Sequence, residues 1–120
     1  MKIGTDITVI SRIEKSLNKF GNKFLNKFLT QEEQESLSSK PESIAGYWAS
    51  KEAIAKALGC GIGAELGFHD IHLYKDAKNA PHFKLSDHAQ RRHQIETSSL
   101  SVAHDGGFAI ATVILTQERA

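Results

Sequence analysis

The stretch from Tyr47 to Gly63 reads YWASKEAIAKALGCGIG, and the rest of the chain is organised around it. It begins with strong helix formers and ends in alternating glycines, which stop a helix and leave bare backbone that a ligand can approach closely. Apolar residues recur here at helical spacing, namely Ile44, Trp48, Ala55 and Leu58. The pattern predicts a central helix that packs against the core and is followed by a glycine loop.

Glu52 and Lys56 stand four residues apart in this stretch, so a helix places them on one face with about 6 Å between their Cβ atoms. A partly shielded carboxylate can hold a hard cation through oxygen, and a lysine can meet phosphate. The alternative is a surface ion pair, worth about 0.2–0.5 kcal/mol, followed by an ordinary helix cap and loop. This stretch alone favours the alternative, so a functional interpretation needs a second element.

The composition of the chain excludes several classes of protein. The 120 residues suit a single domain spanning 1–120, and 40% hydrophobic and 24% charged residues are ordinary for a soluble globular protein. A net charge of +1 gives no basic field for a nucleic-acid partner. Because no stretch approaches 18 apolar residues and no signal-peptide core is present, we expect no membrane partner and a cytoplasmic protein. The single cysteine, Cys60, excludes an intramolecular disulfide and a cysteine-rich zinc site, and we interpret it as a small residue that fits between glycines.

The spacing of apolar and turn residues predicts one α+β domain. A short strand over 2–7 precedes a helix that Thr8 caps and Gly21 ends. The further predicted elements are a helical turn over 24–28, a helix opened by a Thr30–Glu33 capping box and ending near Leu37, the central helix from Pro41, strands over 68–75 and 82–85, a polar helix capped by Ser86 or Asp87 and ending near His93, and a hairpin of strands 100–104 and 108–116.

Asp6 is the second element that a functional interpretation needs. It lies at the end of the first strand and is followed at once by a helix, whose N-terminus favours anions. Asp6 and Glu52 together could hold Mg²⁺, which typically takes one or two carboxylates, waters and substrate phosphates. Mn²⁺ also suits oxygen ligands. Taken alone, Asp6 is equally well explained as a helix-capping residue.

Three segments recur in an order that carries a resemblance. They are GTDI at 4–7 with Arg12-Ile13, WASKEA at 48–53 with KALG at 56–59, and SVAH at 101–104. They resemble the three signatures of the holo-[acyl-carrier-protein] synthase family, the small 4′-phosphopantetheinyl transferases of bacterial fatty-acid synthesis. The resemblance covers nearly the whole chain, including GIG at 61–63 and FHDI at 68–71. It implies an antiparallel sheet packed with a long central helix.

The resemblance also implies a reaction, in which a serine of apo-acyl carrier protein attacks the β-phosphate of coenzyme A. Asp6 and Glu52 match the family's Mg²⁺-binding carboxylates, and Lys56 matches a lysine near the phosphates that stabilises the leaving 3′,5′-ADP. Glu52 and Lys56 are therefore the expected catalytic residues. A metal-bound water or a nearby carboxylate could remove the serine proton. The chemistry needs cations and carboxylates and no nucleophile of the enzyme's own.

The remaining matches concern substrate binding and assembly. Gly61 and Gly63 match a loop packed against coenzyme A, and His104 matches a histidine that helps to bind its nucleotide portion. Arg12 matches a basic residue that meets the acidic recognition helix of the carrier protein. The family is similar in forming homotrimers with active sites between neighbouring subunits. The chain departs from the family at Tyr47, where a basic residue is common, and in the unusually polar segment 87–99.

Other signals leave alternatives open. A metal-dependent hydrolase of nucleotides or pyrophosphates would use the same carboxylates and lysine, and a non-catalytic binding module would tolerate the loss of Glu52. A histidine metal site is not expected, because His69 and His72 would lie on opposite faces of a strand and the others would be solvated, namely His82, His88 and His93. Lysines at 15, 19, 23 and 27 form either a solvated face or a docking surface for an acidic partner.

Overall fold

The computed structural model describes residues 1–118, so residues 119 and 120 of the predicted domain lie outside this range. Helices and strands alternate irregularly along the chain, as expected for an α+β fold. In chain order they are β1 (Lys2–Val9), α1 (Ile10–Phe20), α2 (Asn22–Phe28), α3 (Gln31–Ser36), α4 (Pro41–Ala57), a 3₁₀ helix (Phe68–Asp70), β2 (Ile71–Lys75), β3 (Pro81–Leu85), α5 (Asp87–His93), β4 (Ile95–Asp105) and β5 (Phe108–Gln117).

Helix α4 is the predicted central helix. It begins at Pro41, whose missing N–H is not needed in a first turn, and it ends one residue before Leu58. Gly59 then takes a φ of +82°, a conformation that glycine adopts without steric cost. Small residues fill the middle of the buried face, where Ala49 and Ala53 have no exposed surface. These alanines let the sheet approach the helix axis closely.

The main sheet has the strand order β1-β5-β4, with both pairs antiparallel, and packs on α4. This confirms the expected antiparallel sheet packed with a long central helix. The contact is tightest at Gly4, where a Cβ atom would lie 2.7 Å from the Ala57 nitrogen and closer still to the Ala53 carbonyl oxygen. Only glycine fits at this crossing of strand and helix. Gly4 therefore brings β1 against α4, and Asp6 lies two residues further along the same face.

The outer face of this sheet carries apolar side chains that are exposed in the single chain. Ile3 pairs with Ile114 and Ile7 pairs with Ile110 across β1 and β5, and all four are at least 40% exposed. Phe108 continues the row with 45% exposure. The pair of Thr5 and Thr112 lies between these apolar pairs, and an exposed face of this kind is typical of an interaction surface.

The second sheet is the hairpin of β2 and β3. We predicted that its first strand begins at Phe68, but residues 68–70 form a 3₁₀ helix and the strand begins at Ile71. The reason is local, because Asp70 Oδ2 accepts a hydrogen bond of 2.9 Å from the Gly67 N–H and closes a tight turn. His69 therefore lies on the 3₁₀ helix, so the argument that His69 and His72 occupy opposite faces of one strand does not apply.

Two further predicted boundaries are wrong. Thr8 does not cap α1, because β1 continues to Val9, which has the N-cap position, and the Thr8 hydroxyl donates to Asp6 Oδ2 instead. Strand β4 begins at Ile95 and not at Leu100, because Ile95 and the polar residues 97–99 also pair with β5. The hairpin turn at Gly106 and Gly107 is confirmed, and both residues have positive φ.

The N-terminal helices pack on one end of α4 through an aromatic cluster. Phe28 lies 5.0 Å from Trp48 and 6.0 Å from Phe68 between ring centroids, and Phe24 stacks on Trp48 at 5.8 Å. The predicted interruption at Gly21 is confirmed, with α1 ending at Phe20. No helix within residues 1–118 has the length and apolar character needed to cross a bilayer.

Candidate active site

One cavity of about 380 Å³ collects side chains from three elements of the fold. Asp6 comes from β1, Arg12 from α1 and Glu52 from α4. Phe24 and Trp48 form part of its apolar wall. Glu52 is distant in sequence from Asp6 and Arg12, and the three groups converge because β1 lies against α4 and turns directly into α1. An acidic pair beside a basic group is suited to a phosphate-bearing ligand with a cation.

Asp6 is held by hydrogen bonds on both carboxylate oxygens. Oδ2 accepts from the Thr8 hydroxyl at 2.8 Å, and Oδ1 lies 2.9 Å from Lys56 Nζ. Lys56 also donates to the Thr5 carbonyl at 3.2 Å. The described ion pair of Lys56 is therefore with Asp6 and not with Glu52, its neighbour on the same helix. The side chain of Lys56 is 52% exposed, so it is accessible to a ligand at this site.

Glu52 is a partly buried carboxylate whose pKa is raised. Burial is the main cause and the negative charge of Asp6 adds to it, while Lys56 acts in the opposite direction. The charge of Asp6 is thus close enough to disfavour the ionised form of Glu52. A bound dication would remove this penalty, because it stabilises both carboxylates in the ionised form. The oxygen donors of Asp6 and Glu52 therefore fit a Mg²⁺ ion.

The other predicted site residues lie elsewhere in the chain. His104, at the exposed end of β4, lines a separate cavity of about 280 Å³ together with Tyr47. Gly61 and Gly63 lie in the loop after α4, where Gly61 has a φ of +64° and donates its N–H to the Ala55 carbonyl at 3.2 Å. A single chain thus brings together Asp6, Arg12, Glu52 and Lys56 and leaves His104 on another surface.

Sequence reasoning missed Thr8 as a residue that positions the site. Its side chain is buried and donates to Asp6, two residues before it on the same face of β1. The signal was present in the Asp-x-Thr spacing on a strand, which points both side chains the same way. We assigned Thr8 to a helix cap because the strand was predicted to end two residues too early.

The histidines also differ from expectation at one position. His82 and His88 are exposed, and they contact Asp76 and Asp70 at 2.8 and 2.9 Å. His93, which we expected to be solvated, is only 7% exposed. It lies in the last turn of α5, on the side that also carries the buried Ala89 and faces the rest of the protein. The polar composition of this helix concealed its buried face.

Comparison with known proteins places this geometry in a family. Residues 2–113 match the model of the 4′-phosphopantetheinyl transferase superfamily. This chain belongs to that superfamily. It is an enzyme of the holo-[acyl-carrier-protein] synthase type, as expected from its three sequence segments.

The relatives of this transferase match it over almost their whole length. It is 52% identical to the holo-[acyl-carrier-protein] synthase of Sulfurovum sp. over 120 residues, which cover 100% of both chains. A crystal structure of the Helicobacter pylori enzyme in complex with coenzyme A is 47% identical, with a TM-score of 0.92 and coverage of 95% and 99%. A Bacillus anthracis enzyme in complex with CoA (3′,5′-ADP) is 35% identical, with a TM-score of 0.81 and coverage of 98% and 96%. The relatives therefore agree in fold and in the ligand that their structures contain.

Proposed function

We propose that this transferase moves the 4′-phosphopantetheine group from coenzyme A to a serine of apo-acyl carrier protein and releases 3′,5′-ADP. The observation that carries the proposal is the cavity that Asp6 and Glu52 line, with Lys56 bound to Asp6 at 2.9 Å, in a chain 47% identical to a coenzyme A-bound synthase. In the reaction, the serine oxygen forms a bond to the β-phosphorus, and the bond from that phosphorus to the bridging oxygen of 3′,5′-ADP breaks. The serine loses its proton in the same step.

Asp6 and Glu52 would hold a Mg²⁺ ion, which when bound neutralises charge on the phosphate oxygens. Thr8 keeps Asp6 in place by donating to its Oδ2. Lys56 starts in an ion pair with Asp6 and has the exposed, flexible side chain needed to reach negative charge on the leaving group. The pKa of Glu52 is raised, first by burial and then by Asp6, which suits this carboxylate to accept the serine proton.

Arg12 would contact the acidic carrier protein at the mouth of the same cavity. It is exposed, as are the basic residues that follow it on α1 and α2, namely Lys15, Lys19, Lys23 and Lys27. A basic surface next to the site steers an acidic partner and orients it. The carrier serine would then arrive beside Glu52 without any large movement of the sheet.

A homotrimer with shared active sites is part of the proposal. The exposed apolar face around Ile7 and Ile110 supports self-association, because monomers rarely leave such a face uncovered. The separation of His104 from Glu52 supports sites that take residues from two subunits. In such a trimer, His104 and the loop of Gly61 and Gly63 would complete the coenzyme A site of a neighbouring chain.

We also propose a setting for the reaction. Residues 1–120 would form one transferase domain that works in the cytoplasm and supplies holo-acyl carrier protein to fatty-acid synthesis. Mn²⁺ would replace Mg²⁺ in part, since both prefer oxygen ligands.

The test is intact-mass analysis of an apo-acyl carrier protein incubated with the enzyme, coenzyme A and Mg²⁺. We expect a mass gain of one phosphopantetheine group, which disappears when the metal is chelated. Glu52→Gln should remove the gain while leaving the circular dichroism spectrum unchanged. Lys84→Glu, an exposed change on β3, serves as the control and should transfer normally.

Two outcomes would contradict the proposal. Cleavage of coenzyme A without a mass gain on several carrier proteins would instead indicate a hydrolase that uses the same carboxylates and lysine. Neither gain nor cleavage would indicate a binding module. The glycine loop, the paired acids and Lys56 argue against the second outcome, because together they are the groups that the transfer reaction uses.

A further inference from the structure

A second cluster of metal-ligating groups lies outside the cavity of Asp6 and Glu52. Cys60, Glu65 and His93 each offer one ligand atom, and these atoms all lie within 4.8 Å of one another. Cys60 and Glu65 belong to the loop after α4, and His93 ends α5. In the part of the chain that the structure describes, no other group of three such residues meets this distance.

The buried side chain of His93 indicates that this cluster holds a ligand. Its side chain is only 7% exposed, and its Nε2 atom has no hydrogen-bond partner. A buried polar atom without a partner is costly, typically by about 1–3 kcal/mol, and native proteins rarely leave one. The Nε2 atom lies 3.4 Å from Glu65 Oε2, so it faces the cluster and is not directed at an apolar wall. A ligand between these groups would satisfy it.

The spacing suits a tetrahedral ion. With metal–ligand bonds of about 2.0–2.1 Å to nitrogen and oxygen, two ligands of a tetrahedral zinc lie about 3.3 Å apart. The distance of 3.4 Å between His93 Nε2 and Glu65 Oε2 is therefore the separation of two ligands of one ion. Arg92 Nη2 binds the other oxygen of Glu65, Oε1, at 3.2 Å. This contact leaves Oε2 directed towards the histidine.

We propose that Cys60, Glu65 and His93 bind one Zn²⁺ ion, with water as the fourth ligand. A thiolate and an imidazole favour zinc over the Mg²⁺ that suits the carboxylate site. The proposal does not depend on the transfer reaction, and it revises our interpretation of Cys60 as a mere small residue. Because one ligand precedes Gly61 and another follows Gly63, the ion would tie the glycine loop to α5.

The competing explanation is a simple ion pair between Glu65 and a protonated His93. In that case the thiol would stay protonated, since burial raises the pKa of Cys60 and the charge of Glu65 raises it further. Zinc binding displaces the thiol proton and makes the sulfur a ligand. The state of the sulfur in the presence of metal therefore separates the two explanations.

The experiment is titration of the full-length, metal-stripped protein with Co²⁺, followed by absorption spectroscopy. A thiolate ligand gives a sulfur-to-cobalt charge-transfer band in the near ultraviolet, whereas the oxygen ligands Asp6 and Glu52 give none. Cys60 is the only cysteine, so a band can come from no other residue. We expect one equivalent of Co²⁺ to produce the band and one equivalent of Zn²⁺ to abolish it by displacement.

Variants make the test specific to the cluster. Cys60→Ser should remove the band, and His93→Gln, which removes a direct ligand, should weaken Co²⁺ binding by more than the roughly 10–100-fold that loss of a ligand's hydrogen-bond partner costs. His88→Gln changes an exposed histidine on the same helix and should bind Co²⁺ as the wild type does. Zn²⁺ should raise the melting temperature of the wild type and of His88→Gln by more than that of His93→Gln.

Circular dichroism checks that each variant is folded. A folded wild type that binds Co²⁺ without the band, or a band of equal affinity in His93→Gln, would overturn the proposal. A Zn²⁺-induced rise in melting temperature that is as large in His93→Gln as in the wild type would do the same.

Discussion

Lys51 and Glu33 form an ion pair in which neither side chain has any exposed surface, with Nζ 2.9 Å from Oε1. Lys51 also donates to the carbonyl oxygens of Phe28 and Phe68 at 2.8 and 3.0 Å. Glu33 Oε2 accepts a hydrogen bond of 2.8 Å from the Leu73 N–H. The pair thus connects α2, α3, the 3₁₀ helix and β2 to the central helix. Lys51 directly precedes Glu52 in that helix.

Removing one member of this pair should destabilise the protein strongly. Lys51→Met keeps the chain length but leaves the carboxylate of Glu33 buried without its cation. We expect the free energy of unfolding to fall by about 3–5 kcal/mol, measured by urea denaturation.

The double variant Lys51→Met/Glu33→Gln should recover part of that loss, because no charge is then buried alone. Lys84→Met, on an exposed surface, should change stability by less than about 0.5 kcal/mol. Equal losses in the single and double variants would show that the pair contributes by packing and not by charge.

Gly4→Ala should separate the two acids of the active site. The new methyl group would lie 2.7 Å from the Ala57 nitrogen, so β1 has to move away from α4. We expect a loss of about 1–3 kcal/mol in unfolding free energy and a larger Kd for Mg²⁺ by calorimetry. Gly63→Ala is the matched control for stability, since a Cβ there meets nothing within 4 Å. Normal metal affinity in a folded Gly4→Ala variant would contradict this role of Gly4.

Asp70 should make stability depend on pH in the acid range. Burial tends to raise its pKa, but hydrogen bonds from Ser86, Gly67 and His88 outweigh burial and lower it. The folded state therefore binds fewer protons than the unfolded state, in which the pKa of an aspartate is about 3.9. The stabilisation is fully present above about pH 5. It is lost as the pH falls through the pKa of the unfolded state and then through the lower pKa of the folded state.

Asp70→Asn should consequently cost about 1 kcal/mol at pH 7, because the carboxylate is partly exposed and its hydrogen bonds are screened. The difference from the wild type should shrink as the pH approaches 3. Urea denaturation at a series of pH values measures it. A difference that stays constant over this range would mean that the charge of Asp70 contributes nothing.

Arg12→Glu should impair use of the carrier protein and spare coenzyme A. Charge reversal places a repulsive group in front of an acidic partner, and we expect KM for the carrier to rise about tenfold with little change in KM for coenzyme A. Steady-state kinetics with each substrate varied in turn separates the two. Lys84→Glu carries the same charge change on β3 and should leave both values unaltered. An unchanged KM for the carrier would remove the docking role of Arg12.

Mixed oligomers test whether the sites are shared between subunits. Glu52→Gln and His104→Ala are each expected to be inactive or nearly so when expressed alone. When both are co-expressed with different tags and purified through both, roughly one third of the sites would combine a normal Glu52 from one chain with a normal His104 from the next, because each mixed trimer has one such interface out of three. Transfer activity should return to that extent. No gain over the separate variants would place both residues in one subunit.

The sequence predicted those parts of the fold that depend on neighbours in the chain. Pro41 indicated the start of α4, and the helix begins there. The predicted Thr30–Glu33 capping box is present with both of its hydrogen bonds. The glycines at 106 and 107 indicated the turn between β4 and β5. In each case a few adjacent residues determine the backbone, so local chemistry suffices.

Features that depend on distant contacts were not predictable in this way. A lysine in a polar motif is usually exposed, and only a glutamate 18 residues away explains the burial of Lys51. Similarly, the apolar side of β1, with Ile3 and Ile7, faces outward, because α4 approaches the side that carries Gly4. Alternation in a strand identifies two faces but does not say which one the helix covers.

The candidate site shows the same division. The sequence indicated Asp6, Glu52 and Lys56 as a group through resemblance, and the structure places them together. The sequence did not indicate that Lys56 pairs with Asp6 across the contact between β1 and α4, because the spacing on α4 favoured Glu52 as its partner.

The pairing of β1 with β5 has a consequence for the order of synthesis. Thr5 bonds to the Ala111 carbonyl, 106 residues further along the chain, so the strand that presents Asp6 is translated long before its neighbour. Until Phe108–Gln117 has left the ribosome, β1 has no strand to pair with, and the carboxylate has no fixed position against α4. Non-local pairings of this kind form late. A nascent chain interrupted before Phe108 would thus carry all the predicted catalytic side chains and no assembled site, and activity would arise only as the last strand is added.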